Sequence, residues 1–164
     1  PDGLYLAGTQ AMTSSHSAVS PSADMSAAAT SASDSAIVLL GHGSRAPGWN
    51  APLLAMQTAI AAQDPAVRVT CAYLDYLPPQ LPEALSALVA EHAPTHILIV
   101  PVFLGAGGHV TEDVPRLVDA ARQAHPHIHF HLSQNIGDRP ELSALVAQLT
   151  LGDLQHCTSA AASR

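Results

Sequence analysis

A chain of 164 residues, 48% hydrophobic and 12% charged, is long enough to bury one core of ordinary size and too apolar for a disordered polymer. Its formal charge of -7, from 13 acidic against 6 basic residues, argues against nucleic acid as a partner, because tracking phosphates needs clustered Lys and Arg. No apolar run reaches the roughly 20 residues that span a bilayer, and Cys71 and Cys157 stand in no metal-binding spacing. The expectation is a soluble protein of a reducing, cytoplasmic compartment with no membrane partner.

Residues 1–35 are rich in Ser, Ala and Thr and hold no Lys or Arg, which predicts a disordered arm. The missing positive charge also argues against a secretory leader or an organellar transit peptide. Regular patterning starts at Ala36. Short β-branched or leucine-rich runs at 36–40, 67–74, 96–103 and 127–132 read as strands. Between them, apolar residues recur at helical spacing: Leu53, Met56 and Ile60, then Leu81, Leu85 and Leu88, then Val110, Val114, Leu117 and Val118. A fourth helix, with Leu142, Leu145, Val146 and Leu149, is expected to start at Asp138, which stands three residues before Glu141 in capping-box spacing. One domain over 36–152 is expected, followed by a flexible tail over 153–164.

Strict β-α alternation with short connections predicts an α/β fold. The expected form is an open four-stranded parallel sheet with helices on both faces and a flavodoxin-like order 2-1-3-4. In that order the first and third strands are neighbours whose helices leave toward opposite faces, which opens a crevice at their carboxyl ends. The last strand alternates His127, His129 and His131 with Ile128, Phe130 and Leu132. It reads as an edge strand with one polar face, or, less economically, as an auxiliary metal site on that face.

Two glycine-rich turns bring histidines to the crevice: Gly41, His42 and Gly43 after the first strand, and Gly105 to His109 after the third. The first turn only superficially fits a dinucleotide fingerprint, since the nearest acidic residue after the second strand is Asp75, too far along the chain, and the fingerprint gives histidine no role. Neither a Walker A loop nor a nucleophile elbow is present. Imidazoles ligate divalent Co, Ni, Fe and Zn, and a neutral ring nitrogen accepts a proton. Two histidines without a cysteine make an open site suited to transient metal handling. Asp75 ends the second strand at the same sheet edge, where a carboxylate could bind a cation or accept protons, or merely cap a turn. Glu112 and Asp113 are expected to start the following helix, opposing its dipole. Ser44, Arg45 and Arg116 suit carboxylates on a ligand.

The segments LLGHGSRAPGWN, YLDYLPPQLPEAL and VPVFLGAGGHVTEDVPRLV together resemble the short sirohydrochlorin chelatases, the small cobaltochelatase and ferrochelatase enzymes of cobalamin and sirohaem biosynthesis. The resemblance covers about residues 36–150. It implies a class II chelatase fold, a homodimer standing in for the two fused halves of longer relatives, and His42 and His109 as metal-binding and proton-accepting residues. It makes Asp75 the counterpart of a glutamate, one methylene shorter, and lets the tetrapyrrole lie over Gly105, Gly107 and Gly108; Gly43, Ser44 and Arg45 on the first turn are expected to bind it as well. Asp113 matches an acidic position of the family motif. The reaction implied is insertion of Co2+, Fe2+ or Ni2+ into sirohydrochlorin, the metal being substrate rather than resident cofactor. Two other readings use the same residues: a non-enzymatic metal-delivery protein holding its ion on His42, His109 and the 127/129/131 histidines, and a flavodoxin-like nucleotide- or phosphate-binding domain.

Overall fold

The computed structural model describes residues 34–105 and 107–162, with the backbone alone for 108–111 and 161–162. Strand β1 (Ser35–Gly41) is an almost unbroken apolar run, as a strand buried on both faces must be. It pairs in parallel with β2 (Arg68–Tyr73) on one side, Ala36 facing Arg68 through Gly41 facing Tyr73. On the other side it pairs with β3 (His96–Pro101), Ser35 facing His96 through Leu40 facing Pro101. Strand β4 (His129–Leu132) adds to the free edge of β3, so the order is β2-β1-β3-β4, the one expected from the alternation.

The helices are α1 (Ala51–Gln63), α2 (Leu81–His92), α3 (Gly108–Ala124) and α4 (Pro140–Ala162), with a single 3-10 turn at Ile136–Asp138 before the last. Helix α2 starts at a reciprocal cap between Gln80 and Glu83 and ends at Ala93 in a left-handed conformation. It lays Leu81, Ala84, Leu85 and Leu88 on the sheet. With Val114 and Val118 of α3, these cover Val38, Leu40, Ile97 and Ile99 in the larger core. A smaller cluster of Leu39, Leu53, Cys71 and Tyr73 lies under α1 on the opposite face. Among the described residues no helix is long and apolar enough to cross a membrane.

Several expected boundaries move. The arm expected over 1–35 lies outside the described residues except for Asp34 and Ser35; Ser35 already belongs to β1, and the Asp34 carbonyl accepts the Thr95 N–H at 2.8 Å. Strand β4 starts at His129 rather than at 127, because the chain turns over Pro126, with Ile128 N–H donating to the His125 carbonyl at 3.0 Å. The capping box at Asp138 and Glu141 does not form. Asp138 belongs to the 3-10 turn and accepts from the Asn135 amide at 3.4 Å, while Pro140 takes the first helical position, for which its fixed φ suits it. Helix α3 starts at Gly108, which leaves Glu112 and Asp113 beyond its first turn, where they pair with Arg116 at 3.9 and 3.8 Å. The flexible tail expected over 153–164 is helical through Ala162: an alanine-rich, proline-free segment continues a helix, and Gly152 costs it only about 1 kcal/mol.

Candidate active site

Parallel pairing between β1 and β2 does not stop at the strand ends. Leu74 N–H donates to the Gly41 carbonyl at 3.0 Å and Asp75 N–H to the His42 carbonyl at 2.9 Å, so the ladder runs on into both turns. Gly43 sits at φ +90, a conformation L side chains rarely adopt. A Cβ built there would run into the Asp75 carbonyl oxygen. The close approach of the two turns therefore requires glycine at 43, and it holds His42 and Asp75 beside each other through their main chains.

Both side chains face solvent. They line a cavity of about 660 Å³ together with Leu74, Tyr76, Asp113, Arg116 and Leu117, within the size range of small-molecule sites. A second concavity of about 570 Å³ also borders His42, with Gly43, Ser44, Arg45, Trp49 and Tyr76. The Ser44 hydroxyl accepts the Ala46 N–H at 3.1 Å, closing the turn on itself. The Arg45 guanidinium lies 5.2 Å from the centre of the Tyr76 ring.

The third turn is built differently. Val102 N–H donates to the Leu40 carbonyl at 2.9 Å, which keeps β3 in register up to the crevice. Buried Asn135 then accepts the Phe103 N–H at 3.1 Å, and Gly137 N–H donates to the Phe103 carbonyl at 2.9 Å. Beyond that anchor Leu104 is 85% exposed. A Cβ at Gly105 or Gly107 would meet nothing within 4 Å, so both positions border open space. Gly108 opens α3 and His109 is its second residue; the His109 side chain lies outside the described residues. The backbone position of His109 is one helical turn before Asp113, whose side chain lines the 660 Å³ cavity.

The structure thus gathers His42, Gly43, Ser44, Arg45 and Asp75 on two pinned turns and sets Gly105, Gly107, Gly108 and the His109 main chain after the neighbouring strand β3. It does not assemble the auxiliary histidine face as expected. His127 stands outside the strand, whereas His96 of β3 joins the face, its ring 4.9 Å from that of His129 and 6.2 Å from that of His131. Among the described residues no three His, Cys, Asp or Glu side chains are placed to hold one ion. Tyr76 and Asn135 escape sequence reasoning, since both act through turns that only the folded chain defines. Burial pushes the Cys71 thiol upward, away from any role as a nucleophile.

Residues 36–151 match the CbiX family model. Over 90 residues the chain is 33% identical to the sirohydrochlorin cobaltochelatase of Methanocaldococcus jannaschii, which covers 55% of this chain and 62% of that protein. The sirohydrochlorin chelatase SirB of Bacillus subtilis subspecies spizizenii, solved in complex with cobalt, superposes with a TM-score of 0.60 at 26% identity, over 70% of this chain and 48% of that one. A CbiX protein of Marinobacter aquaeolei VT8 shares the fold, with a TM-score of 0.66 at 22% identity over 76% of this chain and 98% of that one. The matched stretch thus spans less than two thirds of the Methanocaldococcus protein and about half of SirB. Matched from β1 into α4, across the sheet and both sets of turns, the chain belongs to the CbiX family.

Proposed function

We propose that this chain is a sirohydrochlorin metal chelatase, inserting Co2+, Fe2+ or Ni2+ into a tetrapyrrole rimmed by carboxylates. The observation that carries the reading is the placement of His42 and Asp75 on one open cavity with Asp113 and Arg116 of α3, in a chain of the CbiX family. Insertion forms bonds from the metal to the macrocycle nitrogens and releases two N–H protons. In this reading His42 and His109 present the ion from one side through neutral ring nitrogens, and Asp75 and the imidazoles take up the departing protons. Arg45 and Arg116 meet the carboxylate rim, which gives an acidic protein a local attraction for a polyanionic ligand. Gly43 and Ser44 border the ligand on the first turn, while Gly105, Gly107 and Gly108 let the macrocycle lie over the third.

A homodimer supplies the second half of the longer relatives, and the free thiols of Cys71 and Cys157 suit the cytoplasm. Mixing the purified chain with sirohydrochlorin and each divalent metal, and following the visible spectrum, tests the activity. Metallation well above the uncatalysed rate is expected for at least one of the three ions, and rates equal to the blank for all three would reject the reading. The same titration separates the other two readings: metal retained without tetrapyrrole binding marks a delivery protein, and protection by nucleotide marks a phosphate-binding domain. Sedimentation of the native chain measures the dimer directly.

A further inference from the structure

Tyr76 follows Asp75 on the turn after β2, and its backbone lies at φ 65, the left-handed region that bulky side chains avoid. Leu77 N–H donates across it to the Asp75 carbonyl at 2.8 Å, the i to i+2 bond of a γ-turn with positive φ, a rare and strained form. Glycine would adopt this conformation freely, yet a tyrosine occupies it and is left 57% exposed. Strain of this kind persists where the surroundings enforce it, and it gathers at functional sites.

The surroundings are the site itself. The Tyr76 ring stacks on the His42 imidazole with centroids 6.5 Å apart and planes 20° from parallel, within the range of aromatic pairs. The same ring carries the Arg45 guanidinium at 5.2 Å, within cation-π reach. His42 and Tyr76 are also the two residues common to the linings of the 660 and 570 Å³ concavities.

We propose that Tyr76 is a positioning residue, whose ring, held out by a strained turn, sets the plane of the His42 imidazole and the reach of Arg45. This rests on the chelatase reading and adds to it the residue that orients the metal-presenting group. An imidazole ligates a metal through a lone pair lying in its own ring plane. A partner stacked on its face therefore fixes that plane without competing for the ion. A guanidinium held over a ring likewise keeps its N–H donors at its edge, free to take a carboxylate in bidentate fashion.

Full-length Tyr76→Gly, Tyr76→Phe and Tyr76→Leu variants test this by steady-state metallation, thermal unfolding and the chemical shift of the His42 ring protons. Tyr76→Gly is expected to melt at or above the wild-type temperature, since its backbone strain is relieved. Its kcat should nevertheless fall about tenfold and its KM for sirohydrochlorin rise about threefold, because a small displacement of a reacting group lowers rate steeply. The His42 ring protons should lose their ring-current shift. Tyr76→Phe should stay within about twofold of wild type, and Tyr76→Leu should resemble Tyr76→Gly in rate. A Tyr76→Gly protein with wild-type kinetics would overturn the proposal. So would one that melts far below wild type, which would make Tyr76 a structural residue, or a Phe variant as impaired as the Gly variant, which would move the role to the hydroxyl. If the wild-type chain metallates nothing, the chelatase reading fails instead, and the His42 shift in Tyr76→Gly still decides whether the ring holds the imidazole.

Discussion

The turns after β1 and β2 and the turn after β3 lie at the same end of the sheet but are held by opposite means. The first two are fastened to each other, main chain to main chain, by the bonds from Leu74 to Gly41 and from Asp75 to His42. One of them allows no side chain at Gly43, and the other keeps Tyr76 at positive φ. Among the described residues the third is anchored at its base, by Asn135 and Gly137 on Phe103, and Gly105 and Gly107 look into open space. Under the proposed chelatase function, presenting an ion at a fixed point and admitting a large flat ligand needs both: a rigid wall to orient the reacting groups and an unobstructed one to receive the substrate.

Breaking the rigid wall should cost most. Gly43→Ala forces a Cβ against the Asp75 carbonyl at a φ that alanine rarely adopts. Roughly 3 kcal/mol or more of stability should be lost, with activity falling alongside, as chemical denaturation and metallation assays will report. His42→Ala leaves that wall folded and removes its imidazole, so metallation should drop about a hundredfold or more at unchanged stability. A variant retaining near-normal rates would refute the assignment. Loosening the base of the third turn by Asn135→Ala strands the buried Phe103 N–H, for which about 1 to 3 kcal/mol is expected. A midpoint equal to wild type would mean that this anchor contributes nothing.

Gly107→Ala sharpens the contrast, because its new methyl meets nothing within 4 Å. Stability should change by less than about 0.5 kcal/mol, whereas KM for the tetrapyrrole should rise if the macrocycle lies over this turn. The smallest effect is expected at Cys71, in the strand beneath the rigid wall. Burial raises its thiol, so the folded chain keeps a proton that the unfolded chain releases. Its contribution is therefore whole below the ordinary thiol pKa of about 8.5 and is lost as pH rises past it. Unfolding midpoints of wild type and Cys71→Ala should converge on the alkaline side; parallel curves would exclude the effect.

What could be read from the chain follows from the range of the interactions involved. The four strands, their order and the histidine turns are written in local patterns: near-continuous apolar runs, helical spacing and glycines beside His42 and His109. Boundaries were less legible where a neighbouring bond decides them. His127 alternates like a strand residue, but the turn over Pro126 removes it from β4, and Asp138 has capping spacing yet serves Asn135. At the site, His42 and Asp75 could be nominated by residue type, whereas nothing in the sequence around Tyr76 or Asn135 signals their contacts, which join segments far apart along the chain.

The sequence by itself determined the α/β class, the parallel order and the presence of two imidazole-bearing turns at one end of the sheet, because periodicity and glycine placement act over a few residues. Only the tertiary structure decided that the first two turns are bound main chain to main chain, that Gly43 leaves no space for a methyl, and that a strained tyrosine stands against His42. Those features arise where strands distant in sequence are brought into register, and steric exclusion between them exists only once the sheet has formed.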